Sequence, residues 1–297
     1  MARAQICLLP DGRRLHLNDG PIDLIIEAFG RAEQVQLAYR SAAMRFVTVL
    51  DELCTELPLL RREPNLENWP TGVIARRMAK AVLPYAAQTF ITPMAAVAGA
   101  VAEEILAKMI ANAVLDKAYV NNGGDIAVHL APGQHFVTGM VDRPDRPSLV
   151  ASATLTADQP VRGIATSGWR GRSFSLGIAD AVTVLADTAA MSDAAATIIA
   201  NAVDLPGHPA IVRVPAYDLA PDNDLAERHV TQAVGELINC EISAALARGE
   251  ARARDFLSND LIRAAALHLQ GQTRVVGDTL QLTPPESVAP EEGLIHA

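Results

Sequence analysis

The stretch GIATSGWRGRSFSLGIADAVTVLADTAAMSDAAATIIANAV, residues 163–203, holds the densest structural and chemical information in the chain. Its pattern predicts a β-branched strand ending at Thr166, a loop with glycines and arginines, a second strand over Ala181–Ala186, and an alanine-rich helix. Small polar residues collect where these elements meet, and glycines at such turns let a ligand approach backbone N–H groups closely. The stretch therefore predicts a binding site at the strand ends.

Two residues of the predicted helix, Asp193 and Thr197, are four positions apart, so their side-chain oxygens project from one face. A carboxylate and a hydroxyl are ligands that Mg²⁺ accepts when phosphate oxygens complete its shell. The alternative is structural: Asp193 stabilises the first turns of the helix, and Thr197 bonds back to a carbonyl group. The spacing alone favours this structural alternative.

Three segments resemble the flavin transferase superfamily typified by ApbE: NNGGDIAVHL at 121–130, ATSG at 165–168 and SDAAATIIANAV at 192–203. Members of that superfamily carry a GGD turn, an SG loop and a D-A-x-x-T helix in this order. The segments ITPMAAVAGAVAEEI (91–105) and TSGWRGRSFSLGIADAV (166–182) are similar to an uncharacterised, ApbE-like branch. Each motif is weak alone, but three in the right order make the resemblance specific.

The resemblance implies an α+β fold, with mostly antiparallel, bent sheets flanked by helices and with helical additions at the C-terminal end. We expect a single domain over residues 1–282, with a helical part at 225–270, and a flexible, Pro- and Glu-rich tail at 283–297. Periodicity predicts two helices in the helical part, Leu225–Arg248 and Ala251–Gln270. They can pack on the domain or on a second copy of the chain, as in a homodimer.

The resemblance also implies FAD and Mg²⁺ as cofactors and an acceptor protein as partner. Asp193, Thr197 and the backbone carbonyl of Ala96 would hold the metal. The flavin nucleotide would contact the turn and the loop, through Asn122, Gly123, Gly124, Asp125, Thr166, Ser167, Gly168, Trp169, Arg170 and Arg172. Gly99 or its neighbour stands where the family usually has a lysine, so one expected contact to phosphate or substrate is in question.

The turn and the loop also have structural explanations. Asn-Gly between two alternating segments is a hairpin signal by itself, and without the family context it favours a tight turn at 122–124. Trp169 can stack on a flavin or adenine ring, while Arg170 and Arg172 bind a pyrophosphate. Equally, Trp169 can pack under its own loop, with both arginines in solvent.

The base that flavin transfer needs is missing from its expected place. In the transferases a histidine in an H-x-x-D-P-like segment follows the SG loop and acts on the acceptor threonine. Residues 173–180 occupy that interval here and contain no histidine, the next one being His208. Asp180 is the nearest candidate catalytic group, but a carboxylate is a weak base unless its pKa is raised.

Three hypotheses therefore stay open: an enzyme that acts at the FAD pyrophosphate, a flavin-binding protein without transfer activity, and a scaffold with a vestigial pocket. The missing histidine favours the second over the first. The SDAAAT helix at 192–197 disfavours the third.

The composition limits the class of protein. Half of the 297 residues are hydrophobic and a fifth are charged, which is ordinary for a soluble globular protein. The formal net charge of −9 argues against nucleic acid as a partner. We see neither a signal peptide nor a membrane span, and we expect a cytoplasmic protein. The 3 isolated cysteines predict neither a disulfide framework nor a zinc site.

Overall fold

The computed structural model describes residues 3–141, 149–278 and 294–296. The chain divides into two compact units. The first comprises Met1–Phe136, Leu155–Ile164 and Asp187–Asp193, and the second comprises Val137–Thr154, Ala165–Ala186 and Ala194–Ala297. Each unit is built from three segments of the sequence. The prediction of a single domain says nothing about this division, and it stays a prediction.

The first unit is an antiparallel sheet with helices packed on it. Its elements are β1 (Gln5–Leu8), β2 (Leu15–Asp19), β3 (Ile22–Phe29), α1 (Ala32–Phe46), α2 (Val49–Leu60), α3 (Val73–Val82), α4 (Val97–Asn112), β4 (Lys117–Asn122) and β5 (Asp125–Leu130). The strands pair in the order β1-β2-β3-β4-β5, and every neighbouring pair is antiparallel.

Alternation and helical periodicity explain these elements. Along β2, Leu15 and Leu17 are buried while His16 between them is half-exposed, as expected for a strand with one face on the core. The buried residues of α1 recur at every fourth position: Ala38, Ala42 and Phe46. Helix α4 is buried on most of its surface and lies against both α1 and β4. Across the described part of the chain, no helix combines the length and the apolarity needed to cross a bilayer.

The second unit contains further strands and helices. Its elements are β6 (His135–Val141), β7 (Leu149–Thr156), β8 (Gly163–Ser167), β9 (Ala181–Ala186), α5 (Ala189–Ala202), β10 (Ile211–Pro215), α6 (Ala216–Leu219), β11 (His229–Val234), α7 (Asn239–Ser258), β12 (Ala264–Leu269), β13 (Gln272–Val276) and β14 (Leu294–His296). Four of these elements are shared with the first unit: β6, β8 and α5 begin in residues of the first unit and end in residues of the second, and β7 begins in the second and ends in the first. Strand β12 pairs antiparallel with β9 and β13, β10 pairs antiparallel with β11, and β14 runs parallel to β6.

Mixed helices and strands with predominantly antiparallel pairing confirm the predicted α+β class. The prediction of two helices within 225–270 is wrong, because this part of the chain holds one helix, α7, between strands β11 and β12. All six residues of β12 (AAALHL) are buried, and a short, continuous apolar run of this kind has the same periodicity signal in a helix and in a buried strand.

Most of the predicted flexible tail at 283–297 lies outside the described residues. Leu294–His296 of that tail form β14, so these three residues are paired with a strand.

Candidate functional site

The predicted GGD turn joins β4 to β5 as a two-residue hairpin loop. Asn122 pairs with Asp125, and the two residues between them, Gly123 and Gly124, have φ of +66° and +111°. Both angles require glycine-like freedom, which confirms the predicted hairpin. The N–H of Gly124 already donates to Oδ1 of Asn121 at 2.8 Å. Gly123 is exposed, so its backbone is the part of the turn that a ligand can approach.

The side chain of Asn122 ties this turn to the beginning of α4. Its Nδ2 donates to the carbonyl of Ala98 at 3.2 Å, and its Oδ1 accepts the N–H of Asp23 at 3.5 Å. Because Asn122 is buried and bonded on both sides, it positions the turn rather than offering its amide to solvent.

Asp193 lies against the same first turn of α4. Its Oδ2 accepts the N–H of Gly99 at 3.0 Å, and the N–H of Ala98 also bonds to the carboxylate. Ala98 and Gly99 are the second and third residues of α4, whose amides have no partner inside the helix. The carboxylate of Asp193 therefore caps α4, a helix other than its own, where the helix dipole favours negative charge.

Glu103 of α4 makes the corresponding contact with α5. The sequence did not lead us to predict a role for Glu103. Its Oε1 accepts the N–H of Ala190, in the first turn of α5, at 2.8 Å, and its Oε2 lies 3.1 Å from Nη1 of Arg77. The beginnings of α4 and α5 are thus each capped by a carboxylate of the other helix. The signal in the sequence that could have identified Glu103 is its position one helical turn after Gly99.

Burial dominates the electrostatics of Asp193. Desolvation raises the pKa of its carboxyl to about 7, against the hydrogen bonds from Gly99 and Ala98, which lower it. Among the residues that the structure describes, no lysine, arginine or histidine forms an ion pair with Asp193. A carboxylate has about four acceptor positions, and the two amides leave others for a cation.

The donor set around Asp193 fits a hard cation. Groups of three or more His, Cys, Asp or Glu side chains able to hold a metal do not occur among the described residues. Further ligands would have to be carbonyl, hydroxyl or phosphate oxygens, which are the ligands that Mg²⁺ takes. Ala96, the buried N-cap residue of α4, precedes the capped amides, and Thr197 follows Asp193 by one turn of α5.

Gly99 lies where α4 meets the beginning of α5. A Cβ atom built on Gly99 would lie 2.3 Å from the carbonyl oxygen of Ala189, so the two backbones are in contact there. Because every other residue has a Cβ atom, no other residue can occupy this position without moving a helix.

We expect Gly99→Ala to lower the free energy of unfolding by about 1–3 kcal/mol, since the added carbon overpacks a backbone contact. The substitution would otherwise stabilise a helix by about 1 kcal/mol. Urea unfolding followed by circular dichroism measures the change. Gly171→Ala is the control: Gly171 is exposed, its Cβ atom would lie 3.2 Å from the nearest atom, and the change should stay within about 0.5 kcal/mol. A Gly99→Ala variant as stable as the wild type contradicts the expectation.

The predicted SG loop lies in the second unit and is folded closely on the segment before β9. A Cβ atom on Gly168 would lie 2.5 Å from the carbonyl oxygen of Asp180, and the N–H of Trp169 donates to the carbonyl of Ala179 at 3.0 Å. The hydroxyl groups of Thr166 and Thr183 are hydrogen-bonded at 2.8 Å. These bonds fix the shape of the loop.

Asp180 is the anchor of this loop. Its buried carboxylate accepts hydrogen bonds from Nε1 of Trp169 at 3.2 Å, from Nε of Arg170 at 2.7 Å and from the N–H of Gln270 at 2.7 Å. Three donors therefore occupy most of the acceptor positions that a catalytic base would use. This geometry gives Asp180 a positioning role; its catalytic role stays a prediction.

The side chains of the loop differ in what they offer a ligand. The guanidinium group of Arg170 stacks over the ring of Trp169, with Cζ 4.2 Å from the ring centroid, and so covers one face of the indole. Arg172 is exposed, and Ser167 is half-exposed. The arrangement favours the structural alternative for Trp169, although Arg170 is paired with Asp180 instead of lying in solvent.

The structure thus gathers the predicted residues into two groups. In the first unit, Asn122 and Asp193 both contact the first turn of α4. In the second, Trp169 and Arg170 converge on Asp180.

Comparison with solved structures found neighbours of low sequence identity. The ApbE protein of Thermotoga maritima has a TM-score of 0.36 and 14% identity, over 84% of this chain and 77% of that one. A histidine-to-glycine mutant of the flavin transferase ApbE from Vibrio cholerae has a TM-score of 0.35 and 10% identity, over 93% and 97%.

Two curated archaeal relatives are more similar in sequence. A UPF0280 protein of Methanopyrus kandleri is 38% identical over 176 residues, and one of Methanococcoides burtonii is 31% identical over 183 residues. Each alignment covers 59% of this chain, and the chain spans 66% and 70% of those relatives. A family model described as AbpE bacteria matches residues 6–275, which is most of the sequence. The chain therefore belongs to the AbpE bacteria family.

Proposed function

We propose that the protein binds a flavin nucleotide, FAD, together with Mg²⁺, in its first unit at the beginning of α4. One observation carries the proposal: the carboxylate of Asp193 is held by the N–H groups of Ala98 and Gly99 without a basic partner in the described part of the chain. Desolvation of an acidic group costs free energy that a bound cation would recover. The order of the GGD turn, the SG loop and the D-A-x-x-T helix supports the flavin as ligand class.

In this proposal Asp193 is the main metal ligand, with the hydroxyl of Thr197 and the carbonyl of Ala96 as further ligands. A bound Mg²⁺ would neutralise phosphate charge. The amides of Ala98 and Gly99 hold the carboxylate in place, and Asn122 fixes the turn whose exposed Gly123 a phosphate can approach.

The sequence also predicts flavin contacts in the loop at 166–172, and these stay a prediction. Arg172 and Ser167, which reach solvent, are better placed to bind a ligand than Arg170, which is paired with Asp180. Binding without FMN transfer is favoured over transfer, because residues 173–180 supply no histidine. An acceptor protein, a cytoplasmic location and a homodimer stay predictions of the sequence.

The test is an FAD titration of the wild type and of Asp193→Asn, in Mg²⁺ and in EDTA. The asparagine keeps an oxygen for the Gly99 amide, so this hydrogen bond to α4 survives while the charge is lost. Flavin fluorescence should show that the chelator weakens binding to the wild type by about 10–100-fold, and that the variant binds weakly in either buffer.

Asp158→Asn is the matched control, since Asp158 is an exposed carboxylate outside the proposed site, and it should behave as the wild type. Equal affinities of the wild type and Asp193→Asn, with and without EDTA, would rule out the metal role of Asp193. Absence of FAD binding to the folded wild type would rule out the proposed function itself.

A further inference from the structure

Three side chains, Cys7, His16 and Asp23, lie together on the sheet of the first unit, and none of them is a proposed ligand of the candidate site. Cys7 of β1 is directly opposite His16 of β2. Asp23 of β3 is opposite Asn18, two residues from His16, and therefore lies on the same face as His16. Cys7 is exposed, and the side chains of His16 and Asp23 are 30% and 43% exposed, so reagents in solution reach the cluster.

The distances order the three groups. Nε2 of His16 lies 2.5 Å from Oδ1 of Asp23, and Nδ1 of His16 lies 3.8 Å from Sγ of Cys7. An ionised carboxylate can only accept a hydrogen bond, so Nε2 carries the proton in neutral His16. The lone pair of Nδ1 then faces the thiol. Cys7 can therefore serve as a nucleophile and His16 as its base, while Asp23 orients His16.

A metal site does not account for this cluster, because no group of three or more His, Cys, Asp and Glu side chains in the described ranges is arranged to hold a metal ion. A purely structural role does not need the thiol, since Cys7 packs against no core and the hydrogen bond between His16 and Asp23 does not involve it.

We propose that Cys7 is a modification site: a thiol activated by His16 and Asp23 for exchange with low-molecular-weight disulfides. The thiol proton passes to Nδ1 of His16, and the imidazolium is stabilised by the carboxylate of Asp23. The thiolate attacks one sulfur of the disulfide, the S–S bond breaks, and the departing thiolate takes up the proton. The products are a mixed disulfide on Cys7 and one free small thiol. No other oxidant is required.

The chain provides its own reference thiols. Cys54 and Cys240 are also free and exposed. Cys240 is the second residue of α7, where the helix dipole favours a thiolate, so Cys54, inside α2, is the reference for an unassisted thiol. The full chain is incubated at neutral pH with excess 2-hydroxyethyl disulfide, quenched with acid at intervals, and analysed by peptide mass spectrometry. Cys7 should react about tenfold faster than Cys54.

His16→Gln should reduce the rate at Cys7 to that at Cys54 and leave Cys54 unchanged. Asp23→Asn keeps an oxygen for Nε2 but removes the charge, so it should lower the rate at Cys7 by a smaller factor. Circular dichroism checks that both variants fold; if His16→Gln does not, Asp23→Asn decides. A wild-type Cys7 no faster than Cys54, or a folded variant of either kind that reacts at Cys7 as fast as the wild type, would overturn the proposal.

Discussion

With FAD, Mg²⁺ and a peptide bearing the transferases' threonine acceptor motif, the protein should transfer FMN roughly 10²–10⁴-fold more slowly than a transferase that has its histidine. A base within hydrogen-bond reach of the acceptor hydroxyl accounts for a factor of this size. Residues 173–180 contain no histidine, and three donors already surround the carboxylate of Asp180. Mass spectrometry of the peptide measures covalent flavin over time.

A flavin transferase that has its histidine is the reference enzyme for this assay. Efficient labelling by the present protein that disappears in Asp193→Asn would show the expectation wrong and restore the transferase hypothesis. Bound FAD without labelling would agree with flavin binding as the function.

Local signals in the sequence predict strand β9 and the hairpin between β4 and β5. The bounds of β9, Ala181–Ala186, are those predicted, because β-branched and apolar residues there lie between two clear breaks. The hairpin at 122–125 is equally predictable, since adjacent glycines supply two positive φ angles and the flanking residues alternate.

Such local signals do not predict contacts between residues that are far apart in the sequence. The bond from Gly99 to Asp193 joins positions 94 apart, so periodicity within α5 suggested that Asp193 stabilises its own helix. The same limit hid the ion pair of Arg170 with Asp180. The sequence placed Arg170 on a pyrophosphate or in solvent and named Asp180 as a candidate catalytic group. The error at 225–270 has another cause: a fully buried strand such as β12 lacks the alternation that distinguishes a strand from a helix.

Asp180→Ala should lower the free energy of unfolding by about 3–5 kcal/mol, because it removes one partner of a buried ion pair and leaves the other charge uncompensated. The side chain of Arg170 is only 24% exposed, so water cannot fully replace the carboxylate. Nε1 of Trp169 loses its acceptor as well. The N–H of Gln270 loses its acceptor in the β12–β13 turn, where Gln270 has a φ of +42° that is unusual for a residue with a side chain.

Urea unfolding of the wild type and of Asp180→Ala measures this loss, and Glu33→Ala is the matched control. Glu33 also pairs with an arginine, Arg31, at 3.2 Å, but its side chain is 69% exposed, so its removal should change stability by no more than about 1 kcal/mol. The comparison separates the two roles of Asp180. A positioning residue makes its variant unstable whether or not flavin is present. A variant that unfolds like the wild type, binds FAD equally well and loses only transfer would instead identify Asp180 as the base, because a base acts on the reaction and contributes little to the folded state.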